Sequence, residues 1–301
     1  MTDTLSDTAA AARRRATLIG GIAILLWAAL ALFTAWTPSI PALQLNAMSF
    51  SVAGLAAIVL WLLRGENPLT HLRQPPLAWA LGVCGLLGYH ALYFLALKLA
   101  PPLEASLVNY LWPLLIVVFS GLLPGERLRW FHLAGVALGL AGTVNLVLGK
   151  GDVAFETQHL AGYAAALAAA LTWSTYSVLS RRFAAVPTDA VGGFCIATAL
   201  LSWIMHFAFE RSVWPAASGE WLAVLGLGLG PVGLAFFCWD HGMKRGDIRA
   251  LGSLAYAAPL LSTLLLIVFG QGAASWRVAL ACALIIAGAL LGTGDLRRKK
   301  T

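Results

Sequence analysis

The sequence predicts an all-α integral membrane protein: ten transmembrane helices in two inverted-topology five-helix repeats around a central cavity. Three observations carry that expectation. Of 301 residues, 60 % are hydrophobic and only 11 % charged, whereas a soluble domain carries roughly 25 % charged residues. The apolar residues gather in ten stretches near the roughly 20 residues that cross the hydrocarbon core of a bilayer. The chain also matches itself at a fixed offset of about half its length.

The stretches lie at 16–36, 41–63, 77–99, 103–123, 130–148, 160–180, 188–209, 221–241, 249–269 and 275–294. Short connections separate them, punctuated by Thr37-Pro38-Ser39, Pro75-Pro76, Pro101-Pro102, Pro124-Gly125-Glu126-Arg127 and Arg181-Arg182. No soluble domain fits between them. The organisation read from this is a cytoplasmic tail 1–15, a first repeat 16–148, a second repeat 160–294 and a basic cytoplasmic tail 295–301. The first stretch follows Arg13-Arg14-Arg15 in the manner of a signal peptide. Its length of about 21 residues and its place in the repeat mark it instead as a retained span.

Lys and Arg in alternate loops set the orientation. With the N-terminus inside, 16 fall on the cytoplasmic side (among them Arg13, Arg127, Arg181, Arg182, Lys244, Arg245, Arg249 and Lys299). Four fall outside: Lys98, Lys150, Arg211 and Arg277. Both termini are therefore expected in the cytoplasm of a multi-pass plasma (bacterial inner) membrane. The formal net charge of +7 does not point to nucleic acid, because the basic residues form short clusters between apolar stretches. Cys84, Cys195, Cys238 and Cys282 lie inside apolar stretches without CxxC spacing. They read as small packing residues, with neither a disulfide nor a metal site expected.

Sliding the chain by 146 residues (173 − 27) places Trp27 on Trp173, Gly82 on Gly228 and Lys98 on Lys244. It also places Tyr110 on Tyr256, Pro113 on Pro259 and Trp130 on Trp276, with no gap needed. Leucine matches would mean little in so apolar a chain; tryptophan, tyrosine and proline matches in one register mean a repeat. An odd number of spans per half turns the second half upside down, the architecture of many secondary transporters.

The helical period then selects faces. In the fourth span Ser106, Asn109, Tyr110 and Pro113 share one face, and in the ninth Gly252, Tyr256 and Pro259 share another. Mid-span prolines free backbone carbonyls that a neighbour, water or ligand must satisfy, so Pro113 and Pro259 read as paired kinks. Pro231, among Gly226, Gly228, Gly230 and Gly233, reads as a flexible joint. Tyr89, His90 and Tyr93 lie in the third span, and Trp173 and Tyr176 in the sixth. Trp27 is the repeat mate of Trp173, and Trp112 precedes Pro113. Trp27, Tyr93, Tyr110, Trp173 and Tyr256 lie deeper than the interfacial Trp36, Trp130, Trp214, Trp221 and Trp276, or share a face with polar residues. The expected substrate-lining set is thus Trp27, Tyr89, His90, Tyr93, Asn109, Tyr110, Trp112, Trp173, Tyr176 and Tyr256. Each has an alternative as a bundle-packing residue. Asp240 with His241, at the end of the eighth span, is the best candidate for a functional charged pair; no span carries an Asp or Glu at its middle. HExxH, GxSxG and Walker motifs are absent, and no acid, base and nucleophile converge. A membrane enzyme or receptor is therefore a distant alternative, and no cofactor is expected.

The segment 96–113 reads ALKLAPPLEASLVNYLWP, and Gly125-Glu126-Arg127-Leu128 follows it. Together they resemble the EamA-type repeat of the drug/metabolite transporter superfamily. Asn109-Tyr110-Leu111-Trp112-Pro113 and the Tyr89/Tyr93 pair look most like the aromatic amino acid exporters of bacterial inner membranes. That resemblance implies export of aromatic and some neutral amino acids from a central cavity, by alternating access between the halves. One copy in the lipid bilayer would suffice. Aromatic faces suit stacking and ammonium contacts, and Asn109 with the tyrosine hydroxyls could bind a carboxylate. The alternative is export of another small metabolite or a drug. A cationic drug would call for a buried mid-span carboxylate.

Overall fold

The computed structural model describes residues 2–149, 151, 153–270 and 273–293; the basic tail 295–301 lies outside them. Among the described residues the regular structure is all helical. Eight helices are long and apolar enough to cross a membrane: α1 Thr8–Ala35, α2 Ala42–Leu63, α3 Pro76–Leu99, α4 Pro102–Ser120, α5 Trp130–Leu148, α7 Ala190–Phe209, α8 Ser218–Arg245 and α9 Ile248–Val268. Two more complete the order, α6 Leu160–Leu179 and α10 Trp276–Gly292. The hydropathy of α6 is diluted by the run Thr172-Trp173-Ser174-Thr175-Tyr176-Ser177, much of which is buried. Helix α1 begins well before the expected start at 16, so Arg13 to Arg15 stand on a helix rather than in a tail.

Local chemistry sets the helix ends. Pro76 and Pro102 open α3 and α4 at a position where a missing N–H costs nothing. The Asp247 carboxylate accepts from the Arg249 and Ala250 N–H groups and caps α9. Glu210, just past α7, caps α2 from the other half by accepting from the Leu43 and Gln44 N–H groups at 3.1 Å.

Five irregularities interrupt these helices, and four of them come in two pairs; the fifth, a break in α1 at Ala29, has no counterpart in α6. Cys84–Gly88 in α3 and Gly230–Leu234 in α8 each wind as one π-helical segment, and each position in the first lies 146 residues before its counterpart. Helix α4 breaks at Tyr110 and Leu111, between Pro102–Asn109 and Trp112–Ser120. Helix α9 breaks at Tyr256, between Ile248–Ala255 and Ala257–Val268. The break in α4 and the break in α9 thus coincide at the repeat offset, and Pro113 and Pro259 stand just after them. Pro231 lies inside the second π segment.

Helix pairing obeys the same exchange. Helix α1 packs on α8 and on α9, while α6 packs on α3 and on α4; α2 meets α7, α4 meets α9 and α5 meets α10. Swapping each helix for the one five places away returns the same set. Glycines permit two of these contacts. A Cβ on Gly242 would lie 2.6 Å from the Gly20 Cα, bringing the backbones of α8 and α1 together. One on Gly135 of α5 would lie 2.6 Å from the Gly288 carbonyl of α10.

Candidate functional site

The exchange of helix pairs brings α1, α4, α6 and α8 to one place beside α3, where the tryptophans Trp27, Trp112, Trp173 and Trp239 meet. Trp27 lies 5.0 Å from Trp239, 5.8 Å from Trp173 and 6.1 Å from Trp112, ring centre to ring centre. Trp112 and Trp173 are 6.4 Å apart and nearly perpendicular. Phe236 closes one side, 5.7 Å from Trp173, and stacks on Phe50. Offset and edge-to-face contacts at these separations are the favourable ones for aromatic rings. Two indole N–H groups are spent on structure. Trp27 donates to the Pro231 carbonyl at 3.0 Å, satisfying a backbone oxygen of the π segment, and Trp239 donates to the Ser177 hydroxyl at 3.0 Å. Ser174 fixes the break in α4 by donating to the Trp112 carbonyl at 2.9 Å.

A polar edge adjoins the rings. Tyr89 lies 5.5 Å from Trp173 and stacks on Tyr93 at 6.0 Å. Asn109 donates to the Tyr89 hydroxyl at 3.1 Å, and the Tyr93 and Ser106 hydroxyls are 3.0 Å apart. The Asn109 side-chain carbonyl is buried and has no partner among the described residues. Burying such an acceptor is costly, which marks it as a place for a donor. Tyr89, His90, Tyr93, Ser106 and Tyr110 are partly exposed, whereas Trp112, Trp173 and Tyr176 are buried.

Most of the expected set therefore converges: Trp27, Tyr89, Trp112 and Trp173 in the cage, Tyr93 and Asn109 at its polar edge. Tyr176 touches Trp173 at 5.3 Å, and its hydroxyl has no partner among the described residues. His90 sits edge-on to Phe50 at 5.4 Å, and its Nδ1 bonds the Leu86 carbonyl of the first π segment at 2.6 Å. Tyr256 stands apart. It packs on Gly139 with the α5–α10 cluster, and its hydroxyl donates to the backbone carbonyl of its own repeat mate, Tyr110, at 3.1 Å. The sequence reading missed Trp239, Phe236 and Phe50. The repeat held a signal for the first, because Trp239 falls on Tyr93 at the 146-residue offset.

Asp240 does not pair with His241. Its carboxylate meets Lys244 Nζ at 2.9 Å and the Thr188 hydroxyl at 2.9 Å, while Lys244 also donates to the Val186 carbonyl. His241 turns outward to Arg245. One helical turn separates Asp240 from Lys244, so the i, i+4 spacing was available in the sequence. Glu66, His71 and Asp189 bring possible metal-ligand atoms within 4.8 Å of one another. Their valences are already engaged in the Glu66–His71 contact at 2.9 Å and the Asp189–Arg64 contact at 3.4 Å.

At the end of the bundle where α1 begins, five charged side chains interlock. Glu126, in the α4–α5 loop, receives Arg181 at 2.9 Å and Arg13 and Arg249 at 3.3 Å each. Asp247 receives Arg13 at 3.2 Å and Arg249 at 3.5 Å. Arg181 further donates to the Met243 and Gly246 carbonyls, and Arg249 to the Arg127 carbonyl. Burial pushes the Asp247 carboxyl up, but Arg13, Arg249 and the capped N–H of Ala250 outweigh burial and hold it below its ordinary range.

With this geometry in place, comparison with known proteins identifies the architecture. The model of the EamA-like transporter family matches residues 15–148 and again 160–293. The aromatic amino acid exporter YddG of Ancylobacter novellus is 58 % identical over 287 residues, spanning 95 % of this chain and 99 % of that one. The protein of the same name from Escherichia coli K12 is 24 % identical over 291 residues, 93 % of this chain and 97 % of its own. A solved crystal structure superposes with a TM-score of 0.90 at 57 % identity, covering 95 % of this chain and all of that one. Two family matches that together take in nearly the whole chain, and a relative identical at more than half its positions, lead to one conclusion: this multi-pass membrane protein belongs to the EamA-like transporter family.

Proposed function

We propose that this chain exports amino acids, aromatic ones and some neutral ones, by alternating access across a bacterial inner membrane. The observation that carries the reading is the aromatic cage with its polar edge, built where helices of both halves cross. Rings of the cage offer faces to an aromatic side chain and cation–π contact to an ammonium group. The unpartnered Asn109 carbonyl can accept from that ammonium, and the Tyr89 and Tyr93 hydroxyls can donate to a carboxylate. The relatives named as aromatic amino acid exporters support the same substrate class.

In this reading all ten helices span the bilayer as two five-helix repeats, 16–148 and 160–294, with both termini in the cytoplasm. The helix pairings described above relate the halves by a two-fold exchange, and two contacts support inversion of the second repeat. The start of α1 meets the end of α6 in the charged cluster, although the two are repeat mates. The end of α4 likewise meets the start of its mate α9. The Lys and Arg imbalance, 16 against four, then puts that cluster on the cytoplasmic side. Substrate-lining roles fall to Trp27, Tyr89, His90, Tyr93, Asn109, Tyr110, Trp112, Trp173 and Tyr176, and Tyr256 supports the break at Tyr110. Pro113, Pro231 and Pro259 mark where helices bend. The chain acts as a carrier rather than an enzyme, needs no cofactor, and a single copy suffices.

The test is counterflow in proteoliposomes. Vesicles preloaded with unlabelled tryptophan are expected to accumulate labelled tryptophan from outside in a saturable manner. The same result is expected for phenylalanine. Accumulation no greater than in protein-free vesicles for every amino acid tried would sink the substrate assignment.

A further inference from the structure

We propose that Arg13, Glu126, Arg181, Asp247 and Arg249 form the inner gate of the transport pathway, locked in the conformation described. The proposal rests on the two-sided transport reading, with this end in the cytoplasm.

The network joins the moving parts. Arg13 and Glu126 come from the first half; Arg181, Asp247 and Arg249 come from the second. Three of its five pairings, Arg13–Asp247, Arg181–Glu126 and Arg249–Glu126, cross between halves. A fourth crossing pair at the same end, Arg64–Asp189, ties α2 to α7. Among the described residues, every Arg–carboxylate pair that joins the halves lies at this end. At the opposite end of the cage, Tyr93, Ser106 and Tyr110 are partly exposed. Among the described residues, Arg–carboxylate pairs thus join the halves at one end only; at the other a carboxylate meets backbone N–H groups instead, Glu210 on Leu43 and Gln44.

Charge is a poor choice for a permanent seal. Taking paired ions out of water costs about as much as their attraction returns, and well-packed apolar side chains often hold a fixed contact better. For a contact that must part, the balance reverses. Separated ions recover their hydration, whereas a parted apolar plug would expose its surface to water. Glu126, Asp247 and Arg249 have side chains no more than 9 % exposed, so they are dry when closed and have most to recover when open.

The interior beneath the network fits the same use. Between it and the cage lies a cavity of about 10 Å³, walled mainly by apolar residues, those of α3 and α7 among them, and touched also by Tyr176, Ser180, Asp240 and Lys244, room for about one water molecule. The hydroxyl of Tyr176 is buried there without a partner, and Asp240 and Lys244 pair beside it. A static apolar plug would have no use for these polar groups. When the gate parts, they become the wall of an aqueous vestibule that leads from the cytoplasm to the cage.

The experiment reads access to Ser180, buried next to Arg181. Full-length Ser180→Cys protein is placed in inverted membrane vesicles and labelled with a membrane-impermeant maleimide, with the parent, lacking the added cysteine, as blank. Labelling is expected to be slow with the network intact and at least about tenfold faster in Glu126→Gln/Asp247→Asn, since removing buried partners favours the separated state. Arg181→Glu is expected to accelerate labelling as well, and the exchange Glu126→Arg/Arg181→Glu to slow it again. Monodispersity of the purified variants separates an opened gate from an unfolded chain. Equal labelling rates in all folded variants would overturn the proposal, as would acceleration only from the outer face. The readout needs no substrate. Labelling that responds while no amino acid is transported would remove the export reading and leave the gate standing.

Discussion

The cage and the charged network are both held by side chains from the two halves, but by opposite forces. In the cage, aromatic rings contact one another over short distances, and hydrogen bonds fix Trp27 to the second π segment, Trp239 to Ser177 and Tyr89 to Asn109. The network is almost wholly ionic, with Arg13, Arg181 and Arg249 set against Glu126 and Asp247. Dispersion and ring electrostatics reward shape and fall away once rings separate; ion pairs reward sign and exchange readily for water. The first kind of contact can tell substrates apart, and the second can open and close. On the proposed reading, recognition and closure rest on different chemistry, about two helical turns apart along α6 and the turn that follows it.

That division can be broken in order of expected effect. Trp173→Ala removes a ring that touches Trp27, Trp112, Trp239, Phe236, Tyr89 and Tyr176. Truncating a large buried aromatic costs about 3–5 kcal/mol, so tryptophan counterflow should fall by at least tenfold. Labelling of Ser180→Cys should stay slow. If it rises as much as in the network variants, cage and gate are one unit. Gly242→Val tests the boundary between them. Its side chain would press on the Gly20 backbone, an overpacking worth about 1–3 kcal/mol. It should lower the thermal midpoint in detergent and raise Ser180→Cys labelling. Unchanged labelling would show that closure depends on charge alone.

The smallest effect expected is that of pH. Asp247 has its carboxyl held below the ordinary range, about 3.9 for aspartate. A depressed native value contributes stability that is fully present above the ordinary value and is lost as pH falls through the native one. Maleimide attacks the thiolate, so labelling of any cysteine slows as pH falls. The ratio of the Ser180→Cys rate with the network intact to that in Glu126→Gln/Asp247→Asn, taken at each pH and constant ionic strength, should therefore hold steady between about pH 8 and pH 5. A rise across that window would mean that Asp247 titrates there and that its arginines do not hold it.

Much of the scaffold could be read from residues alone, because a bilayer leaves few choices. Backbone polar groups in hydrocarbon must be satisfied within a helix, so runs of apolar residues locate helices almost by length. Proline and tryptophan matches at one offset then pair them. Placement of Trp27 and Trp173 followed from depth and helical face, and that of Trp112 from its place before Pro113. Trp239 did not, because it sits beside Asp240 near a span end, where aromatic residues ordinarily anchor at the interface. Tyr256 shared its face with Pro259 as expected, yet it turned to the carbonyl of Tyr110. A helical face gives a direction and not a partner. The ionic network was invisible for a related reason. Its members lie in four separate regions of the chain, from Arg13 to Arg249, and each reads singly as a charge at or beyond a span end, the three arginines simply obeying the orientation rule.

The paired π segments carry a consequence for how such a chain can change. A single-turn π bulge takes up one residue beyond the α-helical count, and each residue of an α-helix turns the chain by about 100°. The wide turn spreads that extra residue over one full rotation, so the helix beyond it keeps its phase. Deleting one residue from Gly230–Leu234 would leave Trp239 and Asp240 facing Trp27 and Thr188, but would return the Pro231 region to a plain α-helix and take away the carbonyl that the Trp27 indole reaches. One residue lost from Cys84–Gly88 would likewise spare the direction of Tyr89 and Tyr93 and cost His90 its place on the Leu86 carbonyl. The two segments are thus positions where the chain can change length without turning its cage, at the expense of the backbone groups they hold open.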